Sequence, residues 1–343
     1  MSELKIGVIN WDGCLESNTT YFGGYCAKTL SGEKYKNRVP FYADVTAENQ
    51  VSFHKRTQEE FDKELEYAID AGIDYFAYVW YTKRDKFAPD ENVSETARHV
   101  HELTYIRQLH MESSLKDKIK MCAILSAHPI TDEELKDLSE TMQKPYYQYV
   151  DERPLVYIYT GYNKELISRL RQACKQVGVP DPYVAIFTNN NPAKEGETYR
   201  EADAVSAYCV PNEDKDCDTK EDFVSYMLDM NDLMLSYSLP VIPMYSVGWN
   251  PSPRIDTPVP WYAYANKKYT SASSPEQIKE GAKGLSKHLL KKGVEVKSIL
   301  SYAWNEFEEG GFICPTFDSN GNIDDSRLKA FKDAVDCLRD TLK

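Results

Sequence analysis

Eight short apolar runs recur along the chain, at Ile6–Asn10, Tyr75–Tyr81, Met121–Ser126, Leu155–Tyr159, Tyr183–Thr188, Ala204–Tyr208, Val241–Ser246 and Ile299–Trp304. Runs that are apolar throughout, and not at alternate positions, read as strands covered on both faces, the habit of parallel sheets built from βαβ units. The intervals between them carry helical periods with explicit starts. Thr57-Gln-Glu-Glu60 and Thr131-Asp-Glu-Glu134 are capping boxes ahead of apolar stripes at Phe61, Leu65, Ala68 and Ile69, and at Leu135, Leu138 and Met142. Ser274-Pro275 with Gln277, Asp218 with Glu221, and Asn163 open three more helices, and a last one is expected from about Asp325 to Leu342. Only the interval from Asn189 to Arg200 supplies little helix. The fold class that follows is α/β, a single (β/α)8 TIM barrel over residues 1–343, a length that such a barrel commonly reaches. A doubly wound sheet is the competitor, but no GxGxxG follows the first run and no P-loop occurs.

Charge and composition narrow the partners. With 41 Lys+Arg against 54 Asp+Glu the chain carries −13, which repels phosphate backbones, so nucleic acid is not an expected partner. Lys283, Lys287, Lys291 and Lys292 read as one solvated helix face. No apolar run approaches the roughly 20 residues of a membrane span. The residues before Ile9 hold no leader-like apolar region, which reads as a cytoplasmic chain as written, or an exported one already trimmed. Eight cysteines without a CxxC are too sparse for a disulfide scaffold; Cys14 with Cys26, and Cys209 with Cys217, could pair in an exported protein. The 25 tyrosines against 12 phenylalanines favour rings with both an apolar face and a hydroxyl, which sugar-binding clefts require.

In a barrel the chemistry gathers at the C-terminal ends of the strands. That rule selects Trp11 and Asp12 after the first run, Trp80 and Tyr81 after the second, and His128 after the third. Beyond the seventh it selects Tyr245, Trp249, Asn250 and Arg254, and around the eighth Trp304, Asn305, Glu306 and Glu309. Trp11, Trp80, Tyr81, His128, Tyr245, Trp249, Glu306 and Glu309 are expected to line one mouth. Aromatic faces for pyranose rings, with two carboxyl groups among them, are what glycoside cleavage needs. Glu306 and Glu309 share a face if they sit on a helical turn and diverge if the loop is extended. No cofactor is called for, and no metal: His99 and His101 are two apart and cannot face one ion, and neither GxSxG nor HExxH occurs.

Ser301-Tyr-Ala-Trp-Asn-Glu-Phe-Glu-Glu-Gly310 resembles the W-N-E-x-x-E-G signature of the glycoside hydrolase family 99-like group, including its WbsX-type members. Val247-Gly-Trp-Asn-Pro-Ser-Pro-Arg254 is similar to that group's G-W-D-N-T-P-R segment, with Asn250 where Asp is usual. Ala71 to Tyr81 resembles its second-strand pattern, and Arg153 to Tyr159 its fourth. The resemblance implies a cofactor-free, metal-independent retaining glycosidase acting on an oligosaccharide or polysaccharide, with α-mannosides as the substrates of the characterised enzymes. It gives Glu306 the assisting role at the sugar 2-hydroxyl and Glu309 the general acid/base role. The group's usual Trp is Phe307 here, and Glu308 adds a third carboxylate, so Glu306 and Glu308 are expected to raise the pKa of Glu309. A barrel that binds glycans without turnover, or a glycosyltransferase, are the rival readings; the latter needs a nucleotide-sugar site, and no phosphate loop is present.

Overall fold

The computed structural model describes residues 4–87, 92–126, 130–159, 164–188, 201–209, 220–263 and 272–343. Every apolar run becomes a strand: β1 Lys5–Asn10, β2 Tyr75–Trp80, β3 Lys120–Leu125, β4 Arg153–Ile158, β5 Tyr183–Phe187, β6 Ala204–Ser206, β7 Met244–Ser246 and β8 Ser298–Tyr302. They pair in parallel in the order β7-β8-β1-β2-β3-β4-β5-β6, and the short segment Tyr149–Val150 adds antiparallel to β4. A parallel bridge between Val205 and Val241 joins the two ends, with the Val205 N–H donating to Pro240 O and the Ile242 N–H to Val205 O, each at 2.9 Å. The chain is therefore the (β/α)8 barrel that its alternation predicts.

Which residues face the lumen follows from contacts across it. Tyr75 of β2 exchanges hydrogen bonds with the Tyr157 hydroxyl of β4 at 2.8 Å and the Ser298 hydroxyl of β8 at 2.9 Å, strands that are not its neighbours. The alternate residues of β2 point outward: Tyr78 meets His110 Nδ1 at 2.9 Å, and Trp80 lies under the Arg107 guanidinium at 3.8 Å. A period of two along each strand thus decides mouth against outer layer.

The outer layer contains helices α1 Tyr21–Leu30, α2 Gln58–Asp70, α3 Tyr105–Glu112, α4 Asp132–Met142, α5 Lys164–Val177, α6 Lys220–Leu235, α7 Pro275–Lys292 and α8 Ser326–Thr341. The boxes at Thr57, Thr131 and Ser274 all form as reciprocal caps. Asn163, Asp218 and the interval from Asn189 to Arg200 lie outside the described residues. Helix α1 carries no strong signal in the sequence, because Gly23 and Gly24 are poor helix formers. Thr20 caps it by accepting from the Gly23 N–H at 3.1 Å, and Phe22, Cys26 and Leu30 are buried. Among the described residues no helix is long and apolar enough to cross a membrane.

Candidate active site

The segment after β8 is neither a helical first turn nor an extended loop. Asn305–Glu306 pairs antiparallel with Gly311–Phe312, and Phe307–Glu309 makes a single 3-10 turn between them. Gly310 leaves that turn at φ 71°, and a Cβ on Gly311 would stand 2.1 Å from the Tyr302 ring, so the glycine pair lets the loop fold back against β8. This hairpin brings Glu306, Glu308 and Glu309 around one buried guanidinium. Arg254 donates to Glu309 Oε1, and its Nη2 lies 3.3 Å from Glu308 Oε2 and 3.6 Å from Glu306 Oε2.

The two predicted carboxyl groups have different surroundings. Glu309 accepts from the Tyr302 hydroxyl, from Trp249 Nε1 at 3.0 Å and from Arg254, each of which donates to it. Glu306 accepts from the Tyr208 hydroxyl at 3.1 Å on Oε1, while Oε2 is buried without a hydrogen-bond partner. Burial above all, then the Glu309 charge, pushes the Glu306 carboxyl well above the ordinary carboxylate range; Arg254 opposes this and Glu308 adds to it. The Glu306 side chain is only 5% exposed.

Around these carboxyls stands a ring of aromatic side chains. Trp11, one period beyond β1, donates from Nε1 to the Tyr81 hydroxyl at 3.0 Å, and Trp261 tilts against Trp11 with centroids 6.1 Å apart. Arg254 stacks over both tryptophans, at 5.1 and 5.6 Å. On the other side Tyr159, Tyr208 and Tyr302 form a contiguous run, with centroids 4.8 and 5.6 Å apart. Burial and the nearby glutamates raise the hydroxyls of Tyr208 and Tyr302 further above their ordinary value, so both remain donors. Tyr159, Tyr208, Tyr302 and Trp261 were missed by the rim rule. The first two lie two residues beyond the inward-facing Tyr157 and Ser206, so extending the lumen period past each strand end finds them.

Two solved structures of a GH99 endo-alpha-mannosidase from Bacteroides thetaiotaomicron share this fold. The complex with BIS-TRIS-propane matches at TM-score 0.59 and 14% identity over 99% of each chain. The second matches at 0.57 and 15% identity over 90% of this chain and 84% of that one. No family model and no curated protein sequence matches. The likeness is one of architecture, a barrel shared with glycoside hydrolases.

Several predicted residues lie elsewhere than the mouth. Tyr245 points into the helical layer: its hydroxyl donates to Ile278 O in α7 and its ring stacks on Phe331 of α8 at 5.9 Å, since it falls on the outward phase of β7. Trp80 is likewise outward and lines a flank cavity of about 280 Å³ with Arg107, Met111 and Glu134. Asp12 pairs with Arg56 at 2.6 Å, Arg56 also pairs with Glu64, and Trp304, fully buried, donates to Glu64 at 3.0 Å. These four residues form a buried knot that joins the ends of β1 and β8 to α2. Asn305 accepts from the Trp11 N–H at 2.9 Å and donates to Asn10 at 3.0 Å, which positions Trp11. Asn250 accepts from Arg38 at 2.7 Å and from Ser252 at 2.6 Å, and its N–H donates to Glu309 O. Arg254 is a buried anchor for carboxylates. His128 lies outside the described residues.

Cys14 and Cys26 are free thiols, and Cys217 lies outside the described residues. With Glu308 they bring ligand atoms within 4.8 Å of one another. A cation fits poorly there: burial raises both thiols above their ordinary value, and the Arg254 guanidinium already sits on the same carboxylate.

Proposed function

We propose that this chain is a retaining, metal-independent glycoside hydrolase that cleaves an α-mannoside-like linkage in a complex glycan, with Glu306 and Glu309 dividing the chemistry. The observation that carries the reading is the pair itself: two carboxyls of one hairpin held by one guanidinium in an aromatic mouth, one with a buried oxygen still lacking a donor. A sugar hydroxyl is the donor that Glu306 Oε2 lacks. The family 99-like motif and the fold shared with an endo-alpha-mannosidase support the substrate class.

In the roles implied by the motif, Glu306 takes the proton of the sugar 2-hydroxyl as that oxygen bonds the anomeric carbon and Glu309 protonates the departing oxygen; Glu309 then takes a proton from the water that opens the new bond, and Glu306 returns its proton to the 2-oxygen. Burial favours the protonated form of Glu306, so this role needs the substrate to favour its anion. Hydrogen bonding from the sugar to Oε2 favours the anion, and the pair's proton passes to Glu309. The second reading exchanges the roles, with Glu306 as the acid, and is favoured by the burial that raises its carboxyl.

Glu306→Gln and Glu309→Gln, assayed on α-mannosyl oligosaccharides with activated and unactivated leaving groups, separate these. Removal of either carboxyl should lower turnover about 10²- to 10⁴-fold on the unactivated glycan. The variant of the acid recovers on the activated substrate, because a good leaving group needs little protonation; that variant is Glu309→Gln in the first reading and Glu306→Gln in the second. Activity persists in EDTA. Glycan binding without turnover by the wild type identifies a binding barrel instead.

A further inference from the structure

Glu308 is the residue of this hairpin that neither the motif nor the mechanism accounts for. It is 1% exposed, and Thr29, Cys26 and Arg254 hold it. Thr29 donates to Oε1 at 2.9 Å; Cys26 donates to Oε2 at 3.2 Å; Arg254 approaches Oε2 at 3.3 Å. Both Cys26 and Thr29 belong to α1, so the carboxylate ties that helix to the guanidinium. We infer that Glu308 is a positioning residue, which substrate does not reach, and that it fixes the Arg254 fork shared by Glu306 and Glu309. The inference rests on the assignment of those two as the reacting pair.

The geometry makes the role specific. Among the described residues Arg254 has three carboxylate neighbours in Glu306, Glu308 and Glu309, and a planar fork can serve Glu306 and Glu309 together only if its orientation is held from behind. Glu308, with its two α1 donors, is that hold. The charged and titratable groups around it are Arg254 from the short helix Ser252–Asp256, Cys26 from α1, Cys14 from the segment after β1, and Glu306 and Glu309 from its own hairpin. Replacing its charge has two effects of one sign: one negative neighbour of Glu306 disappears, and Arg254 is released towards the remaining carboxylates. Both favour ionised Glu306.

The test is a carboxyl ¹³C NMR titration of the full-length protein labelled at glutamate Cδ, with Glu306→Gln assigning the resonance. It needs no substrate, so an absence of turnover counts against the proposed function and an unmoved titration against this inference. In Glu308→Gln the Glu306 midpoint should fall by about one unit or more, the scale of losing one close charge. In Glu308→Asp, which keeps the charge, the midpoint should stay near that of wild type. On an aryl α-mannosyl oligosaccharide, Glu308→Gln should lower kcat about tenfold or more with KM within about twofold. A Glu306 midpoint in folded Glu308→Gln that matches wild type overturns the inference, and so does a kcat that matches wild type, since a merely structural role would lower Tm without lowering kcat. Should Glu308→Gln fail to fold, Thr29→Val decides: removing one neutral donor should lower kcat about two- to fivefold at constant KM, and a wild-type kcat overturns the inference.

Discussion

Replacing Arg56 by alanine should destabilise the protein severely, and more so as the pH rises. Arg56 is 4% exposed, donates to Asp12 Oδ2 at 2.6 Å and to Glu64, reaches Cys14 O at 3.4 Å and stacks over the Tyr42 ring at 3.8 Å. Removing one partner of a buried ion pair costs about 3–5 kcal/mol, because the other charge stays buried and unpaired. The lost stacking on Tyr42 adds about 1–2 kcal/mol at a desolvated site. The expected deficit, about 4–7 kcal/mol, is comparable to the whole stability of many domains. Burial already raises Asp12 and Glu64, and Arg56 is what opposes that rise, so the variant binds protons at these carboxyls more tightly than its unfolded chain does. A carboxyl with a raised folded pKa contributes stability at low pH that is lost as pH climbs past its unfolded value. The deficit in urea unfolding should therefore be smallest near pH 5 and grow towards pH 8, with Arg56→Lys in between. A deficit under about 1 kcal/mol, or one independent of pH, would refute the assignment of this knot as a buried, charge-balanced joint.

Tyr245→Phe should leave kcat and KM at wild-type values and cost about 1 kcal/mol in unfolding for the lost bond to Ile278 O; a fall in kcat would return Tyr245 to the mouth. Trp249→Phe keeps a ring but removes a donor from Glu309, so steady-state kinetics should show kcat lowered about 10- to 100-fold, the scale of a hydrogen bond to a charged group, with KM little changed. A rise in KM alone would make Trp249 a stacking platform instead. Burial raises the Glu306 carboxyl above its ordinary value of 4.5, so this group's contribution to stability is present below that pH and is lost as pH climbs towards the raised value. Glu306→Gln should accordingly gain on wild type in urea midpoint between pH 5 and pH 8; a gap constant with pH would contradict the raised carboxyl.

The barrel was legible because burying a strand on both faces leaves a mark that survives in one sequence, and because reciprocal caps need particular residue pairs at Thr57, Thr131 and Ser274. Strand ends located the mouth but could not say which residues face it. That depends on lumen phase, which continuous apolar runs conceal: Tyr245 and Trp80 fell on the outward phase, Tyr159 and Tyr208 on the inward one. Trp249, expected as a stacking platform, is bound to Glu309 through its N–H. The buried charges were least legible of all. Asp12 lies 44 residues from Arg56 and meets it only in the folded chain, and the grouping of three glutamates around Arg254 depends on a hairpin closed by two glycines.

The central claim is that Glu306 and Glu309 make this a retaining glycosidase, and the most direct test is the stereochemistry of the first product. Wild-type protein is incubated with an α-mannosyl oligosaccharide in an NMR tube, and the anomeric signal of the newly released reducing sugar is followed before mutarotation. The account predicts that the α-anomer appears first and relaxes towards equilibrium, and that Glu306→Gln and Glu309→Gln release neither anomer at a comparable rate. The β-anomer appearing first, or release by both variants at the wild-type rate, would contradict it.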